Sequence, residues 1–85
     1  MAPVTVYSTQ YCGYCVRAKA LLDAKHVPYT EVRVDLDPDK MAEMMQKSGR
    51  RTVPQIFVGG HHVGGFDELY MLERSGGLDP LLSGS

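Results

Sequence analysis

The chain offers few of the residues that build crosslinked, metal-bound or membrane-embedded proteins. Its 85 residues include only two cysteines. That is too few for the disulfide framework of a small secreted domain, and it points to a reducing cytosol. It also leaves a structural zinc site short of ligands. There is no second C-x-x-C and no H-x₃-H pair, only His26, His61 and His62. No apolar run approaches the ~18 residues of a membrane span. The formal net charge of −1 excludes bulk attraction to nucleic acid. The opening Met1-Ala2-Pro3-Val4 has neither the charged nor the apolar segment of a signal peptide. No internal repeat or low-complexity tract appears. A chain of this length is expected to form one domain, residues 1–85, around one modest core. Its tail, Leu81-Leu82-Ser83-Gly84-Ser85, is expected to fray.

What is present is concentrated in Cys12-Gly13-Tyr14-Cys15. The pair follows a strand-like run, Val4-Thr5-Val6-Tyr7, and precedes a helical pattern, which is the setting of a redox C-x-x-C. Cys12 falls at the helix N-terminus, where unpaired N–H groups and the helix dipole favour negative charge. That favours the thiolate, which is the nucleophile. Cys15, one turn in, is close enough to bond with Cys12. A structural disulfide is the weaker reading, because so short a loop removes little entropy from the unfolded chain. Half of a zinc site is weaker still, given the missing ligands.

The order of elements follows from periodicity and turn residues. Strand one is Val4 to Tyr7. Helix one runs from Gly13 to His26, with Val16, Ala20, Leu21, Ala24 and Val27 at helical steps and Pro28 as its stop. His26 suits a helix C-terminus. Tyr29 to Asp35 reads as strand two, with Val32 and Val34 on one face. Asp37 as N-cap and Pro38 at the first position start helix two. It carries Met41, Met44 and Met45 as core filler and ends at Gly49. Gln55 to Val58 and His61 to Val63 form a hairpin across Gly59-Gly60. Adjacent strand residues point to opposite faces, so His61 and His62 do not share a metal site. Helix three is Phe66 to Ser75, with Leu69, Tyr70 and Leu72 inward. Gly76-Gly77 ends it, and Leu78 packs back. The order β-α-β-α-β-β-α predicts an α/β fold: a four-stranded mixed sheet with helices on both faces. Its first two strands are parallel through a right-handed crossover. Cys12 then lies beyond the carboxyl end of strand one, the usual ligand position.

Three segments in order resemble the glutaredoxin family across nearly the whole chain. Cys12-Gly13-Tyr14-Cys15 resembles its C-P-Y-C motif, Thr52-Val53-Pro54 its T-V-P loop, and Gly64-Gly65-Phe66-Asp67 its G-G-x-D segment. Ser48-Gly49-Arg50, Val53-Pro54-Gln55-Ile56-Phe57 and Gly76-Gly77-Leu78-Asp79-Pro80-Leu81-Leu82 are similar to the small bacterial type. A thioredoxin proper carries W-C-G-P-C, and this chain has no tryptophan. The resemblance implies the thioredoxin fold with three helices and a cytoplasmic, glutathione-dependent thiol–disulfide oxidoreductase. Such a protein serves cell redox homeostasis and electron transport. Cys12 is then the nucleophile and Cys15 the resolving thiol. For glutathione, the resemblance implies that Tyr14 lines the groove beside Thr52 and that Val53 offers its backbone. Pro54 follows a cis bond. Gly65, Phe66 and Asp67 take the γ-glutamyl end, and Arg50 or Arg51 the glycyl carboxylate. Partners are glutathione and glutathionylated or disulfide-containing proteins, with no nucleic acid and no membrane. Two positions depart from the family pattern: Gly13 replaces the usual proline, and Thr9 stands where a lysine often precedes the motif. Gly13 raises a second implication, a [2Fe–2S] cluster held by Cys12 and glutathione from each of two subunits. The protein is otherwise expected to be a monomer.

Overall fold

Val4-Thr5-Val6-Tyr7-Ser8 is apolar or small at nearly every position, as a strand covered on both faces should be. In the computed structural model, which describes residues 2–83, this strand, β1 (Val4–Ser8), is central. It pairs in parallel with β2 (Thr30–Arg33), Thr5 opposite Thr30. On its other side it pairs antiparallel with β3 (Gln55–Val58), Val6 opposite Ile56. β3 turns at Gly59-Gly60 into β4 (His61–Gly64), giving the order β2-β1-β3-β4. The β3–β4 register shifts between Ile56 and Phe57.

Alternation along the strands sorts side chains between two layers. Val4, Val6, Ile56 and Val58 pack with Ala18 and Leu22 of α1 (Gly13–Ala24) and Leu69 of α3 (Phe66–Arg74). Tyr7 and Phe57 point the other way, against Val34 and against Met44 of α2 (Pro38–Ser48). The methionines are core filler: Met44 is fully buried, with Met41 and Met45 packed beside it. Helix α2 starts and stops where its signals lie. Asp37 accepts from Asp39 N–H at 2.9 Å, Pro38 is the first helical residue, and Gly49 adopts φ 71° at the end.

Four expectations need correction. The buried stripe of α1 is Cys15, Ala18 and Leu22, whereas Val16, Ala20 and Ala24 are exposed. The helix carries apolar residues on most of its surface, so two stripes fit the sequence, and Cys15 decides between them. The helix also ends at Ala24, well before Pro28. His26 takes φ 57°, His26 N–H donates to Asp23 O, and Val27 N–H donates to Leu22 O, the paired closure of a Schellman motif. In α3, Leu69 is buried but Tyr70 is exposed. Finally, Leu78–Leu82 form a fourth helix, α4, where the chain end was expected to fray. Leu78 and Leu82, one turn apart, are buried, and Leu82 O accepts from Ala2 N–H at 3.0 Å. Of the tail, Gly84 and Ser85 lie outside the described residues. Among the described residues, no helix is long and apolar enough to cross a membrane.

Candidate active site

The carboxyl end of β1 leads through residues 9–11 to Cys12. That connection is pinned where Gln10 N–H donates to Asp35 Oδ2. Arg33, in a two-point pair with the same carboxylate, holds Asp35 down at about 2. Cys12 is the N-cap of α1 in extended backbone, and its Sγ accepts from Cys15 N–H at 3.1 Å. A sulfur in place of the usual N-cap oxygen is thereby aimed at the positive end of the helix. The Cys12 thiol faces Val53 O at 3.7 Å.

The two cysteines, both free thiols, sit in different surroundings. Cys12 is partly exposed, whereas Cys15 is 1% exposed. Burial, with the Cys12 sulfur beside it, pushes the Cys15 thiol up to about 12. Lys19 opposes this weakly and is itself tied to Glu31 at 2.8 Å. One thiol is thus accessible at a helix end, and the other is held protonated beneath it.

A shallow groove of about 200 Å³ lies beside Cys12. It is lined by Tyr14, Arg50, Thr52, Val53, Pro54, Gly65, Phe66, Asp67 and Glu68, so two helix starts and one loop, distant in sequence, converge on it. Arg51 is exposed and is not part of this lining. Val53–Pro54 is a cis bond. Tyr14 stacks on Phe66 (6.3 Å between centroids), Phe66 adjoins Tyr70 at 5.8 Å, and Arg17 lies over Tyr14. The first turn of α3, with its unpaired N–H groups, opens on the groove.

Sequence reasoning missed two groups here. Glu68 Oε1 reaches back to Gly65 N–H at 2.7 Å and also pairs with Arg50 at 3.0 Å. These contacts hold its carboxyl below the ordinary range, the Gly65 bond contributing most. A glutamate three residues after the N-cap is half of the capping-box signal, and Gly65 in place of serine or threonine leaves out the other half. The second group is Gln55, fully buried below the Thr52-Val53-Pro54 loop. Its signal was a polar residue opening an otherwise apolar strand. His61 is exposed and His62 turns to Gln55. No cluster of three metal-ligating side chains occurs among the described residues.

The glutaredoxin family model matches residues 4–63. Glutaredoxin 3 of Escherichia coli K12 is 52% identical over 82 residues, covering 96% of this chain and 99% of that protein. A glutaredoxin of Neisseria meningitidis is 54% identical over 84 residues, covering 98% and 99%. Among solved structures, a buckwheat glutaredoxin–glutathione complex is similar with a TM-score of 0.87 at 40% identity, over 96% of this chain and 77% of that one. The Brucella melitensis glutaredoxin matches at 0.85 and 50% identity, over 96% and 89%. With a thioredoxin-fold sheet, an accessible Cys12 over a buried Cys15, and relatives of this identity along nearly its full length, the chain belongs to the glutaredoxin family of glutathione-dependent thiol–disulfide oxidoreductases.

Proposed function

We propose that residues 1–85 act as one glutaredoxin domain that removes glutathione from protein mixed disulfides and reduces protein disulfides, with the groove beside Cys12 as the glutathione site. The observation that carries this reading is the position of Cys12. Its sulfur is the N-cap of α1, and the same sulfur faces the carbonyl of the Val53 loop. Cys12 thiolate attacks the glutathione sulfur of a mixed disulfide. The S–S bond between the substrate protein's cysteine and glutathione breaks, the protein leaves as thiolate and takes up a proton, and Cys12 is left bonded to glutathione through a new S–S bond. A second glutathione thiolate then attacks that glutathione sulfur, releasing glutathione disulfide and restoring Cys12. Alternatively, Cys15 loses its proton and attacks the Cys12 sulfur, releasing glutathione and closing a Cys12–Cys15 disulfide.

The Val53 backbone pairs with the cysteinyl part of glutathione like one rung of a sheet. The α3 N-terminus, at Gly65, Phe66 and Asp67, takes the γ-glutamyl carboxylate and ammonium. Tyr14 and Thr52 border the sulfur, and Arg50, on the groove, takes the glycyl carboxylate in preference to Arg51. Recognition of the shared glutathione moiety lets one small groove serve many proteins. Such a cycle suits a reducing cytosol, where the thiols return to the reduced state.

The test is a pair of substitutions. Cys12→Ser abolishes removal of glutathione from a glutathionylated protein. Cys15→Ser retains it and loses direct reduction of protein disulfides that need both thiols. Equal loss of both activities in folded Cys15→Ser protein would refute the mechanism. One observation favours a second activity, the [2Fe–2S] dimer: a Cβ at Gly13 would meet nothing within 4 Å, so the first turn of α1 is open to a partner. Reconstitution with iron, sulfide and glutathione then gives a brown dimer, reduced in yield by Gly13→Pro. A colourless monomer excludes it.

A further inference from the structure

Buried polar side chains cost free energy unless every hydrogen bond is met, so one kept in a core has work to do. Gln55 is fully buried at the start of β3. Its amide Nε2 donates to Thr52 O at 3.0 Å and to Thr52 Oγ1 at 3.2 Å. Both amide hydrogens are therefore spent on the loop before Pro54. That fixes the amide's orientation, because a flipped oxygen would face the Thr52 carbonyl. Gln55 Oε1 in turn meets His62 Nε2 at 2.7 Å. An amide oxygen only accepts, so His62 carries its proton on Nε2. The ring lies stacked on Phe57, with centroids 4.8 Å apart. Burial and the nearby Arg50 guanidinium lower its pKa, in keeping with a neutral ring. The chain of contacts runs from β4 through β3 to Thr52, whose neighbour Val53 places its carbonyl 3.7 Å from Cys12 Sγ.

We propose that Gln55 and His62 are positioning residues that fix the Thr52-Val53 backbone relative to Cys12, and through it set affinity for the glutathione half of a mixed disulfide. Neither touches the groove or the sulfur. Gln55 holds Thr52 by two bonds, and His62 holds Gln55 by one. The inference rests on the glutathione reading of the groove, and the two are separable by experiment.

The assay compares a peptide carrying glutathione in mixed disulfide with the same peptide carrying cysteine. Cys12 alkylation by iodoacetamide is measured alongside. The variants are Gln55→Met, which keeps the volume and removes the bonds, His62→Leu, which removes one donor, and His62→Gln, which restores it. For Gln55→Met, KM for the glutathionylated peptide is expected to rise about ten-fold with kcat within two-fold. The cysteinylated peptide and the alkylation rate should be unchanged. His62→Leu should give a smaller rise, relieved in His62→Gln, and should add nothing in the Gln55→Met background. Amide exchange at Val53 gives a second readout that needs no glutathione, and it should accelerate in Gln55→Met. Unchanged KM and unchanged Val53 exchange in folded Gln55→Met protein would overturn the positioning role while leaving the glutathione reading intact. So would a parallel fall in alkylation and in turnover of both peptides. Wild-type protein that treats the two peptides alike would instead overturn the glutathione reading, and the proposed role with it.

Discussion

Raising the pH should separate the two routes by which Cys12 is freed from glutathione. The Cys15 thiol, buried and pushed up to about 12, is ionised at pH 7 to about one part in 10⁵, against about 3% for a free thiol of pKa ~8.5. That is a deficit of about 3,000-fold. A more basic thiolate attacks faster, and a Brønsted slope of about 0.4–0.5 over a pKa gap of ~3.5 returns about 25–55-fold. Thiol for thiol, Cys15 remains about 50–120-fold slower than external glutathione at neutral pH, before its proximity is counted. In the mixed disulfide Cys12 no longer carries charge, so its upward push on Cys15 disappears. Burial, the larger cause, stays. Between pH 8 and pH 10 the free thiol approaches full ionisation and gains only about four-fold. Release driven by Cys15 should gain more than ten-fold over the same range. The measurement is mass-spectrometric detection of glutathione leaving Cys12-glutathionylated protein with no thiol added. The control is Cys15→Ser with glutathione supplied. A Cys15-driven rate that levels off by pH 9 would show that burial does not govern this thiol, and the account of its protonated resting state would fail.

Other perturbations follow from particular contacts. Asp67→Ala should raise KM for glutathionylated substrates roughly ten-fold, because a charge-assisted hydrogen bond is worth about 1.5–3 kcal/mol. Turnover of a non-glutathione disulfide should hardly change, and equal losses on both would reassign Asp67 to helix stability. Gly64→Ala should lower stability by about 1–3 kcal/mol in a thermal melt. Gly64 sits at φ 121°, and an added Cβ would stand 2.5 Å from Glu68 Oε1, the atom that holds both Gly65 and Arg50. An unchanged melting temperature would contradict that packing. His26→Gly should stabilise by about 0.5–1 kcal/mol, since φ 57° is strained for any residue with a Cβ and glycine returns part of that gain as entropy. The expected rise in Tm is a few degrees, and a fall would mean that the imidazole makes up for its backbone.

Much of the architecture was legible because punctuation and periodicity agreed. Asp37-Pro38 and Gly49 bound α2, and Gly59-Gly60 marks the β3–β4 hairpin. Cys12 was legible as a helix-start sulfur from its place between an apolar strand and a helical pattern. The inward face of α1 was not, because reading Cys15 as chemistry removed it from the hydrophobic count that it anchors. Helix α4 escaped notice because five residues carry little periodicity and Pro80 reads as a breaker, although proline is tolerated in a first turn. The Gln55–His62 contact joins side chains from two strands across the hairpin, and no local pattern encodes it. Glu68 was legible as a cap, but its pairing with Arg50, eighteen residues earlier, belongs to tertiary structure alone.

The bond from Ala2 to Leu82, with Gly59 N–H donating to Pro3 O at 2.7 Å beside it, bears on how the molecule can be handled. Both ends of the described chain leave from the amino end of β1, while Cys12 follows its carboxyl end. A five-residue strand puts about 17 Å between those poles. A linker or a solid support attached at either end would therefore sit on the side away from the reactive sulfur. Pulling the two ends apart would load the Ala2–Leu82 bond and the short α4 first. An immobilised or fused molecule should accordingly keep its groove open to large protein substrates, and mechanical damage should begin at the pole where no chemistry is done.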